Sequence, residues 1–400
     1  MFALHDVWKK IENICNDTRI EYLDTLLCLG RVVAQDIKAK QTYPLFNISG
    51  INGYALKLED TELPTSLKIL SSTQINTLEV QNNNCTKVLM GLPIPKGANT
   101  VLSLNEVTTY QNNIIINNQF YRHQNIRYTG MDINLNDIII KKNTTLSPTH
   151  VSIAKLFKNY SLPVYKKLTI GFATHHHNKL LSSEELFVQN ENFTTSINYL
   201  TSFIASKNHN SLNLGKLLEV ESKEKAEEVI KFIMNQNEMN FFVIISDMND
   251  VSINSSSEIF TKLSELGVET STYNIAAGYH EKIEIAFLNN KIILFMPHHF
   301  ISFIPLCKLF IEPILNYFNK LPAFTFDNAY LAMNLDENDK LQDFLLGKVS
   351  VDSTGKKIAT PYTSQDFLVA NSLVHANCII IIDKLSSLTK DSEVQTLSLN

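Results

Sequence analysis

Between residues 167 and 320 the chain repeats one arrangement, a short apolar run followed by a longer stretch with apolar positions at helical spacing. The runs fall at 168–173, 241–246 and 291–296, and the helical stretches at 195–206, 223–235, 257–266 and 301–318. A strand apolar on both faces must be covered on both faces, and alternating helices supply that cover. The pattern predicts a three-layer α/β/α domain around a mainly parallel sheet.

The flanking segments read differently. Phe2, Leu4, Val7, Trp8, Ile11 and Ile14 are spaced as one face of an amphipathic helix over 2–17, and a second helical stretch is expected at 24–33. From 67 to 120 the pattern is short strands with polar turns, at 87–90, 100–104 and 114–116. Short strands also fill the tail after 321 (344–351, 370–373, 378–382 and 394–397), as in a small β-barrel. At 400 residues one core is too few, so a multidomain chain of α/β plus β architecture is expected.

Composition narrows the functional classes. A net charge of −5 argues against a nucleic-acid surface, which needs clustered Lys and Arg. No apolar run approaches the ~20 residues of a membrane span, and the start lacks a signal-peptide core, so no membrane partner is expected. The five cysteines are odd in number and form no C-x-x-C, which fits reduced thiols and a cytoplasmic location. Only 12 residues are Gly, few for a chain that wraps backbone around phosphates.

Residues 44–55 read P-L-F-N-I-S-G-I-N-G-Y-A. This resembles the P-x-F-D-N-S-A-M-D-G-Y-A signature of the molybdopterin molybdenumtransferase (MoeA) family, which includes bacterial enzymes and the E domain of gephyrin. Phe46, Ser49, Gly53, Tyr54 and Ala55 match, whereas Asn47 and Asn52 replace both acidic residues, the second being the family's active-site Asp. An amide keeps the carboxylate's shape but has no charge and cannot act as a base. Residues 91–101 resemble the family's G-A-P-L-P-x-G-A-D-A-V with Asn99 for Asp, and 125–133 resemble N-V-R-x-x-G-E-D-I, keeping Arg127, Gly130 and Asp132 with Met131 for Glu.

The resemblance continues through the α/β segment, where the family's ligand loops leave the carboxyl ends of the strands. A-T-H-H-H-N-K-L (173–180) stands for S-T-G-D-E-L and keeps Thr174. The stretch from Ile245 to Glu258 stands for the Gly-rich pterin-phosphate loop, keeping Ser246 and Ser252 but no Gly, while Asp247 and Asp250 add negative charge. Residues 276–282 and 295–302 stand for P-G-K-P and G-L-P-G-N-P-V-S, the latter keeping Pro297 and Ser302.

The resemblance therefore implies four domains: a discontinuous N-terminal linking and dimerisation domain (1–43 and 132–166), an inserted β-rich lobe (44–131), the α/β domain (167–320) and a C-terminal barrel (321–400). It implies a homodimer that inserts molybdate into adenylated molybdopterin with release of AMP, using Mg²⁺. The implied site is Asp132 with Asn52 at the lost Asp, and Ser49, Gly53, Tyr54, Arg127, Thr174, Ser246, Ser252, Pro297 and Ser302 around the ligand. The lost acids and glycines predict weak or absent catalysis. The alternative is a non-catalytic relative serving as a binding or scaffold subunit.

Histidine has entered the same loops: His175, His176 and His177 in one, His280 in another, His298 and His299 in a third. One or two imidazoles from each loop would suit a transition metal. The opposing expectation is that these are exposed loop positions free to drift.

Overall fold

In the computed structural model the described residues are 5–15, 19–58, 65–70, 79–175, 183–217, 223–246, 258–277, 279–335, 344–362, 374–382 and 388–399. Ser252, His176, His177, Asp247, Asp250 and the 370–373 strand expected from sequence lie outside them. The chain divides into two compact units, one of Met1–Ile20 with Tyr165–Asn400, the other of Glu21–Val164.

The larger unit contains a six-stranded sheet: β1 (Thr169–His175), β2 (Asn210–Leu217), β3 (Phe241–Ser246), β4 (Glu269–Ala277), β5 (Tyr279–Leu288) and β6 (Lys291–Pro297). Their order across the sheet is β2-β1-β3-β6-β5-β4. The first four run parallel, and β5 and β4 close the edge as an antiparallel hairpin. Alternate residues of the central strands feed different cores. Phe241, Val243, Ile245, Ile292, Leu294 and Met296 face one, while Phe242, Ile244, Ile293 and Phe295 face the other. Phe193, Leu200, Phe203 and Ile204 of the helix Ser183–Ser206 cover the first face, and Ala226, Ile233, Ile259, Phe260 and Leu263 of two shorter helices cover the second. This is the three-layer arrangement that the apolar runs imply, since period-two alternation with both sets apolar demands cover on both sides.

The hairpin and β2 are absent from the sequence expectation. β2 is an edge strand of mostly exposed and half-buried residues, so it carries no apolar run. His280, expected in a loop, lies within β5 opposite Ala276.

The N-terminal helix His5–Ile14 packs in the α/β core. Trp8, Ile11 and Cys15 are buried there, with the Trp8 ring against Phe310, Tyr317 and Phe324. The helical run from Phe300 to Phe318 carries a π segment at Cys307–Ile311, just before Pro313, which has no N–H to continue the regular ladder. Five strands, Asp327–Leu331, Phe344–Val351, Lys357–Pro361, Cys378–Ile381 and Glu393–Ser398, form a closed barrel.

The unit Glu21–Val164 carries a second six-stranded sheet, in which Gly53–Leu56 pairs with both Asn84–Val88 and Thr100–Ser103. The helix expected at 24–33 is instead a strand, Ile20–Asp24, and a single 3-10 turn, Thr25–Cys28. The Asp24 carboxylate caps that turn, only Thr25 and Cys28 are buried, and the chain leaves through Gly30 at φ +72°. With Leu26, Leu27 and Leu29 exposed, no helical stripe faces a core.

The shortage of Gly is met by Asn. Of the eleven non-Gly residues described at positive φ, six are Asn: Asn83, Asn125, Asn136, Asn143, Asn208 and Asn289. Asn enters the left-handed region more readily than other L-residues because its amide bonds locally.

Candidate functional site

In the unit Glu21–Val164 the signature loop is held by backbone bonds to two other segments. Ser49 N–H donates to Leu92 O and Gly91 N–H to Ser49 O, while Gly130 N–H donates to Pro44 O and Asp132 N–H to Tyr43 O. The three amides at family Asp positions each have a structural task here. Asn47 Oδ1 accepts from the Thr129 N–H (3.0 Å) and hydroxyl (3.2 Å). Asn52 Oδ1 accepts from Met90 N–H at 2.9 Å. Asn99 does what no carboxylate could: its Oδ1 accepts from Leu58 N–H at 2.6 Å and its Nδ2 donates to Leu58 O at 3.0 Å.

Ser49 is fully buried and its hydroxyl donates to Ile51 O at 2.6 Å, so its oxygen serves the turn. Tyr54 is buried in the sheet core. Gly53 is compelled by packing, since a Cβ there would stand 1.9 Å from Leu102 O. Asp132 forms an exposed ion pair with Arg127, and that bond raises the Arg127 guanidinium above its ordinary value. Around these groups lie exposed Leu45, Phe46, Leu89, Met90, Leu92 and Met131.

Mg²⁺ is a hard cation that binds through carboxylates and water. Of the acidic positions in the family motifs at 44–55, 91–101 and 125–133 of this unit, Asp132 alone keeps a carboxylate, and it is engaged by Arg127. This donor set does not suit Mg²⁺.

The second surface is the carboxyl end of the α/β sheet. β1, β3 and β6 are neighbours, with His175 opposite Ser246 and Ser246 opposite Pro297. Thr174, His175, Ser246, His298 and Ser302 are all buried. His175 Nδ1 lies 3.3 Å from Ser246 Oγ. His298 stacks on Phe193 with ring centroids 4.8 Å apart, and Ser196 Oγ donates to His298 O at 3.0 Å. Ser302 Oγ donates to His299 O at 3.0 Å, closing the turn into the following helix.

His175 and His298 are therefore neither exposed drifting positions nor open ligands, but packed side chains. Phe193 and Ser196, three apart on one helix face, back His298; sequence reading overlooked them because their partner lies about a hundred residues away. Because β5 is antiparallel to β6, with Glu284 opposite Phe295, the first residues of β5, His280 among them, lie at the same end of the sheet as Pro297. Among the described residues, no group of three or more His, Cys, Asp or Glu side chains is placed to share one ion. The transition-metal expectation thus gains no ligand set here.

Residues 3–156 match the family model described as the MoeA N-terminal region (domain I and II). The molybdopterin molybdenumtransferase of Haemophilus influenzae is 21% identical over 94% of this chain and 93% of its own length. The chain is thus similar to MoeA proteins, in its N-terminal region by the family model and along its length by this relative. The molybdopterin molybdenumtransferase of Bacillus subtilis is 22% identical over 88% of this chain and 84% of its own. A crystal structure of the molybdopterin biosynthesis MoeA protein from Pyrococcus horikoshii OT3 superposes with a TM-score of 0.70 at 20% identity, covering 98% of this chain and 99% of that one. The fold is thus that of the MoeA structure, although most acids and several glycines of the family motifs are replaced here.

Proposed function

We propose that this chain acts in molybdenum cofactor biosynthesis as a MoeA-family protein whose molybdenumtransferase activity is weak or absent. The full-length likeness to curated molybdenumtransferases supports the pathway. One observation carries the loss of catalysis: at the strand ends, a buried imidazole in contact with Ser246 occupies the position of a family glycine. A side chain in place of that glycine obstructs approach to the backbone N–H groups beside it. At the signature loop, Asn52 has no charge and Asp132 is paired with Arg127. Adenylated molybdopterin and molybdate remain the substrates of whatever activity persists. A symmetric homodimer in the cytoplasm is the expected working form.

The test is AMP release. Purified protein given adenylated molybdopterin, Mg²⁺ and molybdate should release AMP no faster than a heat-treated control. Robust turnover that disappears in Asp132→Ala would overturn the reading. Light scattering checks the assembly, where a stable monomer of about the chain mass, 45.4 kDa, would contradict the dimer.

A second reading is a binding or scaffold subunit. The exposed Leu45, Phe46, Leu89, Met90, Leu92 and Met131 beside the signature loop favour it, since apolar side chains gathered on a surface mark interaction sites.

A further inference from the structure

Asn52–Gly53 is the only Asn-Gly pair in the chain, despite the abundance of Asn. Asn is chemically labile. Its side-chain amide is attacked most readily by the following backbone nitrogen when that next residue has no side chain to hinder approach. Four observations converge on this pair. Asn52 is exposed and stands just outside the strand Gly53–Leu56. Its Oδ1 accepts from Met90 N–H at 2.9 Å, a donor placed to stabilise negative charge as it develops on that oxygen. Gly53 is held as Gly by Leu102 O, so the fold retains the permissive neighbour. The other two amides at family Asp positions precede β-branched residues, Asn47 before Ile48 and Asn99 before Thr100, whose branched Cβ crowds the approach.

We propose that Asn52–Gly53 is a self-modifying site: Asn52 deamidates in the folded protein and yields an aspartate where the family signature carries one. The Gly53 backbone nitrogen loses its proton to hydroxide and bonds to Asn52 Cγ. The Cγ–Nδ2 bond breaks, and the departing nitrogen takes a proton from water and leaves as ammonia. Water then adds to Cγ of the resulting five-membered imide and the new N–Cγ bond opens. The net reaction consumes one water, releases one ammonia and adds one carboxylate. The product Oδ can still accept from Met90 N–H, so the turn survives conversion. What the new carboxylate does rests on the proposed function, whereas its formation does not.

The experiment ages the purified full chain at mildly alkaline pH and reads residues 41–57, a single tryptic peptide, by tandem mass spectrometry. Residue 52 should gain about one dalton with matching ammonia release, roughly tenfold or more faster than Asn47 in the same peptide or Asn99. Asn52→Gln, which would need a larger ring, should stay unmodified. Fragmentation should assign aspartate at residue 52, and Asn52→Asp should melt at the temperature of the unmodified protein. If residue 52 stays intact while a synthetic 41–57 peptide converts, the folded strand withholds the Gly53 nitrogen and the proposal fails. Isoaspartate as the sole product would overturn it as well. Neither result bears on AMP release, so this idea and the proposed function fail separately.

Discussion

His175 Nδ1 lies 3.3 Å from Ser246 Oγ, joining two buried side chains at the ends of adjacent parallel strands 71 residues apart in sequence. A ligand site would leave such groups open to solvent, whereas here they close on each other. His175→Ala should therefore cost about 1–3 kcal/mol, because it strands a buried hydroxyl and leaves a void. The midpoint of urea denaturation reads this directly. An unchanged midpoint would mean that the imidazole is not part of the packed core.

Asn99 and Asn52 should respond oppositely to the same substitution. Asn99→Asp removes the donor to Leu58 O and sets a negative charge against that carbonyl, costing about 1–3 kcal/mol. Asn52→Asp keeps an acceptor for Met90 N–H at an exposed position and should shift stability by less than about 0.5 kcal/mol. Thermal melts of the two variants side by side decide the matter, and equal losses would refute the distinction.

Trp8 is the sole tryptophan, buried to 8% exposure among Phe310, Tyr317 and Phe324. Its emission should be that of an apolar environment, shifting red in the same transition that unfolds the α/β sheet. Trp8→Ala should lower stability by about 3–5 kcal/mol. A red shift well below the main transition would show that the helix detaches on its own.

All five cysteines are free and buried. Burial pushes the Cys85 thiol up to about 12 and Cys378 to about 11, from an ordinary value of 9.0. A thiol raised in the folded state binds more protons there than in the unfolded chain once pH exceeds about 9. The stability it protects is thus intact below pH 9 and lost as pH climbs through 11 to 12. Denaturant midpoints measured from pH 8 to 11 should fall on the alkaline side. Native protein at pH 8 should react with a thiol reagent far more slowly than unfolded protein, and rapid native labelling of Cys85 would contradict its burial.

Legibility followed the range of the interactions. The runs at 241–246 and 291–296 announce their strands because both faces are apolar, and the structure keeps both segments within a residue of those bounds. The edge strand Asn210–Leu217 carries no such run, because one side has no neighbour and most of its residues reach solvent. The turn at Thr25–Cys28 misled a helical reading because local propensity ignores which residues are buried. Positions adopting positive φ were hidden because Asn, not Gly, fills most of the non-Gly ones.

What the sequence determined by itself is the layered α/β centre, the β-rich flanks and the family signature, all of which rest on periodicity or on contiguous residues. The tertiary structure alone decided the fate of the polar residues. Whether His175 and His298 would be ligands, drifting loop residues or core depends on Ser246 and Phe193, each brought near by strand pairing or helix packing across many residues. The same holds for Asn99, whose amide is needed only because Leu58 presents both its N–H and its carbonyl. A polar side chain takes its role from the partner that satisfies it, and that partner is set by the fold.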